Sequence, residues 1–231
     1  MTGARASSLG AIATIARALG EERPRVVFVG GTVTALYALE GGLDVRPTVD
    51  VDCVVDVATT SEYYAFIERL RPRGFSECMD EGAPLCRLVH AGIRVDLVAT
   101  TATGVGPTNR WYRAAVDAAA VYPLASGLDV LAITPLYFVA TKLDAFQGRG
   151  GGDYQASHDL EDVLAVLAGL PTLREQIARG ASPTERTIRS ELRALGAREA
   201  FVDAVRGHFE ADEAGDARAG LIVRWLRSLT T

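Results

Sequence analysis

The apolar, strand-like run Arg25 to Val29 ends on Gly30-Gly31-Thr32, and the next strand-like run carries Asp50-Val51-Asp52. No other feature constrains the chain as much as this order. A glycine turn at the end of a buried strand leaves backbone N–H groups free to meet phosphates. Carboxylates two apart on a strand point to one face, where they can hold divalent metal beside those phosphates. Each feature alone is a common structural element, and their succession points to transfer of a nucleotide.

The 231 residues are enough to bury a sizeable core, and one catalytic domain with a helical extension fits them best. No apolar run approaches the ~20 residues that a membrane-spanning helix needs, so no membrane partner is expected. Met1 to Ser8 lacks the continuous apolar core of a signal peptide, which makes a cytoplasmic location the expectation. Cys53, Cys78 and Cys86 form an odd set without a CxxC pair, and the three histidines are too scattered for a zinc pattern. Reduced thiols without a metal role follow. The net charge of −5 argues against a protein that coats nucleic acid nonspecifically, yet allows a local basic face to meet a nucleic-acid end.

Ser7 or Ser8 is placed to cap an amphipathic helix running to Leu19. Thr32 to Glu40 reads as a helix closed by Gly41-Gly42, Val49 to Val57 as an alternating strand, and Thr60 to Arg71 as a helix. Cys86 to Val98 reads as two strands joined at Ala91-Gly92, which puts Asp96 in an antiparallel pair and supplies a third carboxylate. Pro135 suits a helix start, with Leu136, Val139, Leu143 and Phe146 forming an apolar stripe around Lys142. After the glycine-rich loop at 148–152, Ser157 starts a helix to about Ala168. From Leu173 on, helices broken at Gly180, Gly196 and Gly215 are expected.

Of 24 basic residues, Lys142 is the one lysine. Nucleotidyl transfer needs cations, because the triphosphate is densely charged and both the attacking and the leaving oxygen must be stabilised in line. Two magnesium ions ~3.5 to 4 Å apart do this in many phosphoryl-transfer sites. Asp50 and Asp52 are the candidate ligands, with Asp96 reaching in from a neighbouring strand and assisting deprotonation of the acceptor hydroxyl. The N–H groups of Gly30, Gly31 and Thr32, with the Thr32 hydroxyl, are the candidate phosphate contacts.

Five blocks in order carry a resemblance: Phe28-Val29-Gly30-Gly31-Thr32, Arg46-Pro47-Thr48-Val49-Asp50-Val51-Asp52, Arg94-Val95-Asp96-Leu97, Thr141-Lys142-Leu143-Asp144-Ala145-Phe146 and Ser157-His158-Asp159-Leu160-Glu161-Asp162. Over residues 25 to 168 the chain resembles the nucleotidyltransferase superfamily of DNA polymerase beta type, and within it the AbiEii and MenT-like toxins of toxin–antitoxin and phage-defence systems. The resemblance implies an α/β (α+β) fold, a small mixed-sheet core flanked by helices; with the N-terminal helix this core is expected over 1–170, and the helical pattern read from Leu173 on makes 171–231 a helical C-terminal part.

It also implies that Asp50 and Asp52 bind metal, that Lys142 contacts the nucleoside triphosphate, and that Asp159, favoured over Asp162 on the same helix face, completes the site. Arg46 and Arg149 are second-rank candidates. The implied partners are a nucleoside triphosphate, an RNA acceptor such as a tRNA end, and an antitoxin protein. Two other readings share these residues, a small-molecule nucleotidyltransferase of the antibiotic-modifying kind and a non-catalytic module that binds nucleotide or a partner.

Overall fold

The computed structural model describes residues 3–37, 48, 50–125, 127–149 and 152–229. They fall into two compact units, the first ending at Tyr137 and the second resuming at Phe138. Gly41-Gly42, Arg46, Pro47, Val49 and the Gly150-Gly151 part of the glycine-rich loop lie outside the described residues.

The first unit holds one seven-stranded mixed sheet among the described residues. Its strands are β1 (Val26–Val29), β2 (Asp50–Val55), β3 (Ser76–Glu77), β4 (Arg87–His90), β5 (Ile93–Ala99), β6 (Ala120–Pro123) and β7 (Asp129–Ala132), in the order β3-β4-β5-β2-β1-β7-β6. All four residues of β1 are buried, as a central strand covered on both faces requires. It runs antiparallel to β2 and parallel to β7, and β2 runs parallel to β5. This sheet and the helices around it make the mixed-sheet α/β core expected above.

Two helices bury apolar stripes in this unit. Helix α1 (Gly3–Leu19) buries Ile12, Ile15, Ala16 and Leu19, and α2 (Thr60–Leu70) buries Tyr63, Phe66, Ile67 and Leu70. This 3-4-7 spacing puts each set on one face, and each large side chain stabilises the fold by about 1.5–3 kcal/mol. A reciprocal cap between Thr59 and Glu62 starts α2, and the Tyr63 hydroxyl donates to the Leu97 carbonyl at 2.8 Å, tying α2 to β5.

Two expectations are corrected here. Helix α1 begins ahead of Ser7 and Ser8, and Ser8 is a buried residue inside it. Alanines at 4 and 6 favour helix, and Arg5 fastens the first turns by donating to the Ala35 carbonyl at 3.0 Å. The segment after the glycine turn is a short 3-10 helix, Gly31–Leu36, rather than an α-helix from Thr32. Thr32, Val33 and Thr34 are β-branched and poor α-formers, and the Thr34 hydroxyl turns back to the Gly31 carbonyl at 2.6 Å. Tyr37 ends the turn by donating from its hydroxyl to the Ile133 carbonyl at 2.8 Å.

Helix α3 (Tyr112–Asp117) leads into β6, and the unit division falls inside α4 (Pro135–Gly148), which starts at the expected proline. The second unit continues with α5 (His158–Gly169), α6 (Pro171–Arg179), α7 (Pro183–Gly196), α8 (Glu199–Ala204) and α9 (Glu213–Ser228). Ser157 caps α5 by accepting from the Leu160 N–H, as its spacing predicts. Helix α5 is the interior helix of this unit, with nine of its twelve residues buried. Gly180 ends α6 in the left-handed region at φ 60°, and Gly196 lets Leu226 of α9 approach α7 closely. Gly215 does not break the chain as expected; it lies in the first turn of α9, where its N–H is the one that Asp212 caps. Among the described residues no helix is long and apolar enough to cross a membrane.

Candidate active site

The β1–β2 register pairs Val29 with Asp52, so the carboxylate of Asp52 stands beside the residue at which β1 stops, Gly30. Gly30 has φ 69°, and a β-carbon built on it would lie 1.9 Å from Asp52 Oδ2. Only glycine meets both demands, a left-handed backbone and room for the neighbouring carboxylate. Gly31 and Thr32 follow, both buried, and the Thr32 hydroxyl oxygen is enclosed without a hydrogen-bond partner.

Parallel pairing of β2 with β5 sets Asp52 beside Asp96 and Asp50 beside Arg94. Alternation then brings Asp50, Asp52 and Asp96 to one face of the sheet. On the other side of β5, the antiparallel hairpin pairs Asp96 with Arg87. Arg87 grips Asp96 with two bonds, Nε to Oδ1 and a terminal nitrogen to Oδ2, both 2.7 Å. The same terminal nitrogen is 3.3 Å from Asp50 Oδ2. Hydrogen bonding to Asp96, with attraction to Asp96 and Asp50, holds the Arg87 guanidinium charged more firmly than usual against the opposing effect of burial.

Asp50 Oδ1 is buried and has no hydrogen-bond partner. The oxygen donor set is the hard type that magnesium takes, and the unpartnered Asp50 oxygen and the Gly30 cradle under Asp52 are features such a cation would use. Asp50, Asp52 and Asp96 therefore fit the group. Among the described residues no three acidic, histidine or cysteine side chains are drawn together tightly enough to enclose a metal by themselves, and Arg87 bridges Asp50 and Asp96.

The second unit holds the lysine centre. Lys142 on α4 lies 3.1 Å from Asp159 Oδ1 and 2.6 Å from Asp162 Oδ2, both on the first turns of α5. Burial works against the lysine's charge, but Asp162 and Asp159 outweigh it and its pKa is raised. Arg149 reaches Asp159 Oδ2 at 3.1 Å from an exposed position. A cavity of about 200 Å³ at the start of α5 is lined by Phe146, Arg149, Asp153, Ser157, His158 and Asp159.

The predicted residues thus assemble into two groups, each inside its own unit: Gly30, Gly31, Thr32, Asp50, Asp52 and Asp96 in the first, and Lys142 with Asp159 in the second. Two partners were under-read from sequence. Asp162, ranked behind Asp159, is the nearer of the lysine's two carboxylates, while Asp159 is the one that accepts its hydrogen bond; their i, i+3 spacing puts both on one face. Arg87 received no role, although counting back from the Ala91-Gly92 turn sets it opposite Asp96. Arg46 and Asp44 lie outside the described residues. Asp56 is held by Arg113 and Thr100, and Asp80 by Arg94, which leaves both outside the site.

A family model described as nucleotidyl transferase AbiEii toxin, type IV toxin–antitoxin system, matches residues 14–220. No curated protein matches the chain. Among solved structures, an antigenic nucleotidyltransferase-like protein from Paracoccidioides brasiliensis is similar in fold, with a TM-score of 0.51 at 17% identity over 86% of this chain and 92% of that one. The match spans the sheet, the carboxylates and the Lys142–Asp159–Asp162 centre alike, and the chain belongs to the AbiEii nucleotidyltransferase toxin family.

Proposed function

We propose that the protein transfers a nucleoside monophosphate from a nucleoside triphosphate to an acceptor hydroxyl of RNA, a tRNA end in the first instance, and acts in the cytoplasm as the toxin of a toxin–antitoxin pair. The acceptor oxygen bonds to the α-phosphorus, the bond to the bridging oxygen breaks, and pyrophosphate leaves. Asp50, Asp52 and Asp96 would hold magnesium, which when bound would supply charge stabilisation to the attacking and leaving oxygens.

The chain's own groups do the rest. Backbone N–H groups at Gly30, Gly31 and Thr32, with the unpartnered Thr32 hydroxyl, orient phosphate oxygens. Asp96 takes the acceptor proton. Within the second unit Lys142, kept charged by Asp162 and Asp159, is the candidate nucleotide contact. The observation that carries this reading is the Asp52 carboxylate packed over Gly30, where a side chain of any kind on residue 30 would collide with it.

Incubation of the protein with each labelled triphosphate, magnesium and total RNA, followed by mass spectrometry of the product, tests the reading. Label on RNA is expected. Label on a small molecule instead selects the antibiotic-modifying type, and nucleotide binding without turnover selects the non-catalytic module.

A further inference from the structure

The β4–β5 turn leaves little freedom at the carboxylate face. Ala91 has φ 49° and Gly92 φ 78°, the two left-handed residues of a two-residue hairpin turn. That turn closes His90 onto Ile93, and three steps outward along each strand Arg87 necessarily meets Asp96. The guanidinium is therefore placed among the acidic residues by the backbone, and its side chain is only 21% exposed there, beside Asp50 at 27% and Asp96 at 19%.

A planar fork occupies the in-plane lone pairs of a carboxylate. A hard divalent cation seeks those same lone pairs at about 2.0–2.6 Å. Arg87 engages both oxygens of Asp96 and one of Asp50, so three of the four oxygens of these two residues are committed to it. The fourth, Asp50 Oδ1, is the buried oxygen without a partner.

We infer that Arg87 is an internal competitor for the divalent-cation site: a cation takes Asp50 and Asp96 only as the guanidinium gives up Asp50 and at least one oxygen of Asp96. The inference rests on the nucleotidyltransferase reading of these carboxylates and adds to it a reason for weak cation binding to the nucleotide-free chain. Arg87 is a positioning residue here, since it acts through Asp50 and Asp96.

The test is binding of manganese to the full chain without nucleotide, followed by the electron paramagnetic resonance of the free ion. Arg87→Gln is expected to bind manganese on the order of tenfold more tightly than wild type, the size of one charge-assisted hydrogen bond lost from the competitor. Arg71→Gln removes an equal charge from an exposed arginine bound to Glu68 and Glu77, and is expected to change affinity less than about twofold, given the weak coupling of exposed charges. Equal effects of the two variants, or no effect of Arg87→Gln in a chain whose melting shows it folded, overturn the inference.

Wild-type protein gives a second measurement that needs no folded variant. The Arg87 guanidinium N–H signal, Nε–H and terminal N–H together, held by Asp96 and Asp50, is expected to shift toward the free-guanidinium position as magnesium is added. Magnesium binding that leaves this resonance unmoved overturns the inference alone, whereas absence of cation binding to wild type and Arg87→Gln overturns it together with the metal reading of the site.

Discussion

Gly30 and Asp52 share a space that admits only one side chain. A β-carbon on residue 30 would fall 1.9 Å from Asp52 Oδ2, at a backbone φ of 69° that L-residues rarely adopt. Gly30→Ala is therefore expected to lower stability by roughly 1–3 kcal/mol through strain and to displace the carboxylate, abolishing transfer. Adding Asp52→Ala removes the carboxylate but leaves the β-carbon of residue 52 at 2.7 Å and the backbone strain at residue 30, so only a part of the stability returns while activity does not. Denaturant unfolding of the two variants and the double mutant reads the coupling.

Lys142 holds two carboxylates that are 8% and 2% exposed. Lys142→Met leaves buried negative charge without its main partner and is expected to cost on the order of 3–5 kcal/mol. Asp162→Asn in the same chain should recover part of that loss without restoring transfer. Because the lysine's pKa is raised, its contribution is fully present below the unfolded value of about 10.4 and declines only as pH climbs through the higher folded value. The stability gap between wild type and Lys142→Met is thus expected to stay constant from about pH 7 to 9 and to shrink above about 10.4.

Burial separates the cysteines. Burial pushes the Cys86 thiol up to about 11 and Cys53 well above its usual range, while Cys78 is only half-buried. Thiolate is the reactive form, so iodoacetamide at neutral pH is expected to label Cys78 alone in the folded chain and all three after denaturation. Rapid native labelling of Cys53 would contradict the packing of β2.

Thr59 offers a control remote from the candidate site. Its hydroxyl accepts from the Glu62 N–H at 3.1 Å to start α2. Thr59→Ala is expected to cost about 1 kcal/mol in thermal or denaturant unfolding and to leave transfer unchanged at temperatures where the variant is folded.

What the sequence made legible was what local chemistry determines. Alternation set Asp50 and Asp52 on one face, Ala91-Gly92 announced the hairpin, and Pro135 and Ser157 marked their helix starts. Long-range pairing was less visible. The parallel alignment of β1 with β7 and the antiparallel β6–β7 pair join segments that carry weak strand signals of their own. The 3-10 turn at Gly31–Leu36 defeated an apolar helical pattern because three β-branched residues and a threonine hydroxyl bond compete with the α-helical ladder. Arg87 escaped notice because its role depends on two strands at once, opposite Asp96 on one and within reach of Asp50 on the next.

We propose that nucleotide transfer occurs through Asp50 and Asp52. Its most direct measurement is magnesium-dependent incorporation of label from a triphosphate into RNA by wild type, Asp50→Asn and Asp52→Asn, each shown by melting to be folded. Transfer by wild type that falls by on the order of a thousandfold in each variant is the predicted result, comparable to loss of a principal electrostatic stabiliser. Transfer undiminished in both variants would show that neither carboxylate takes part.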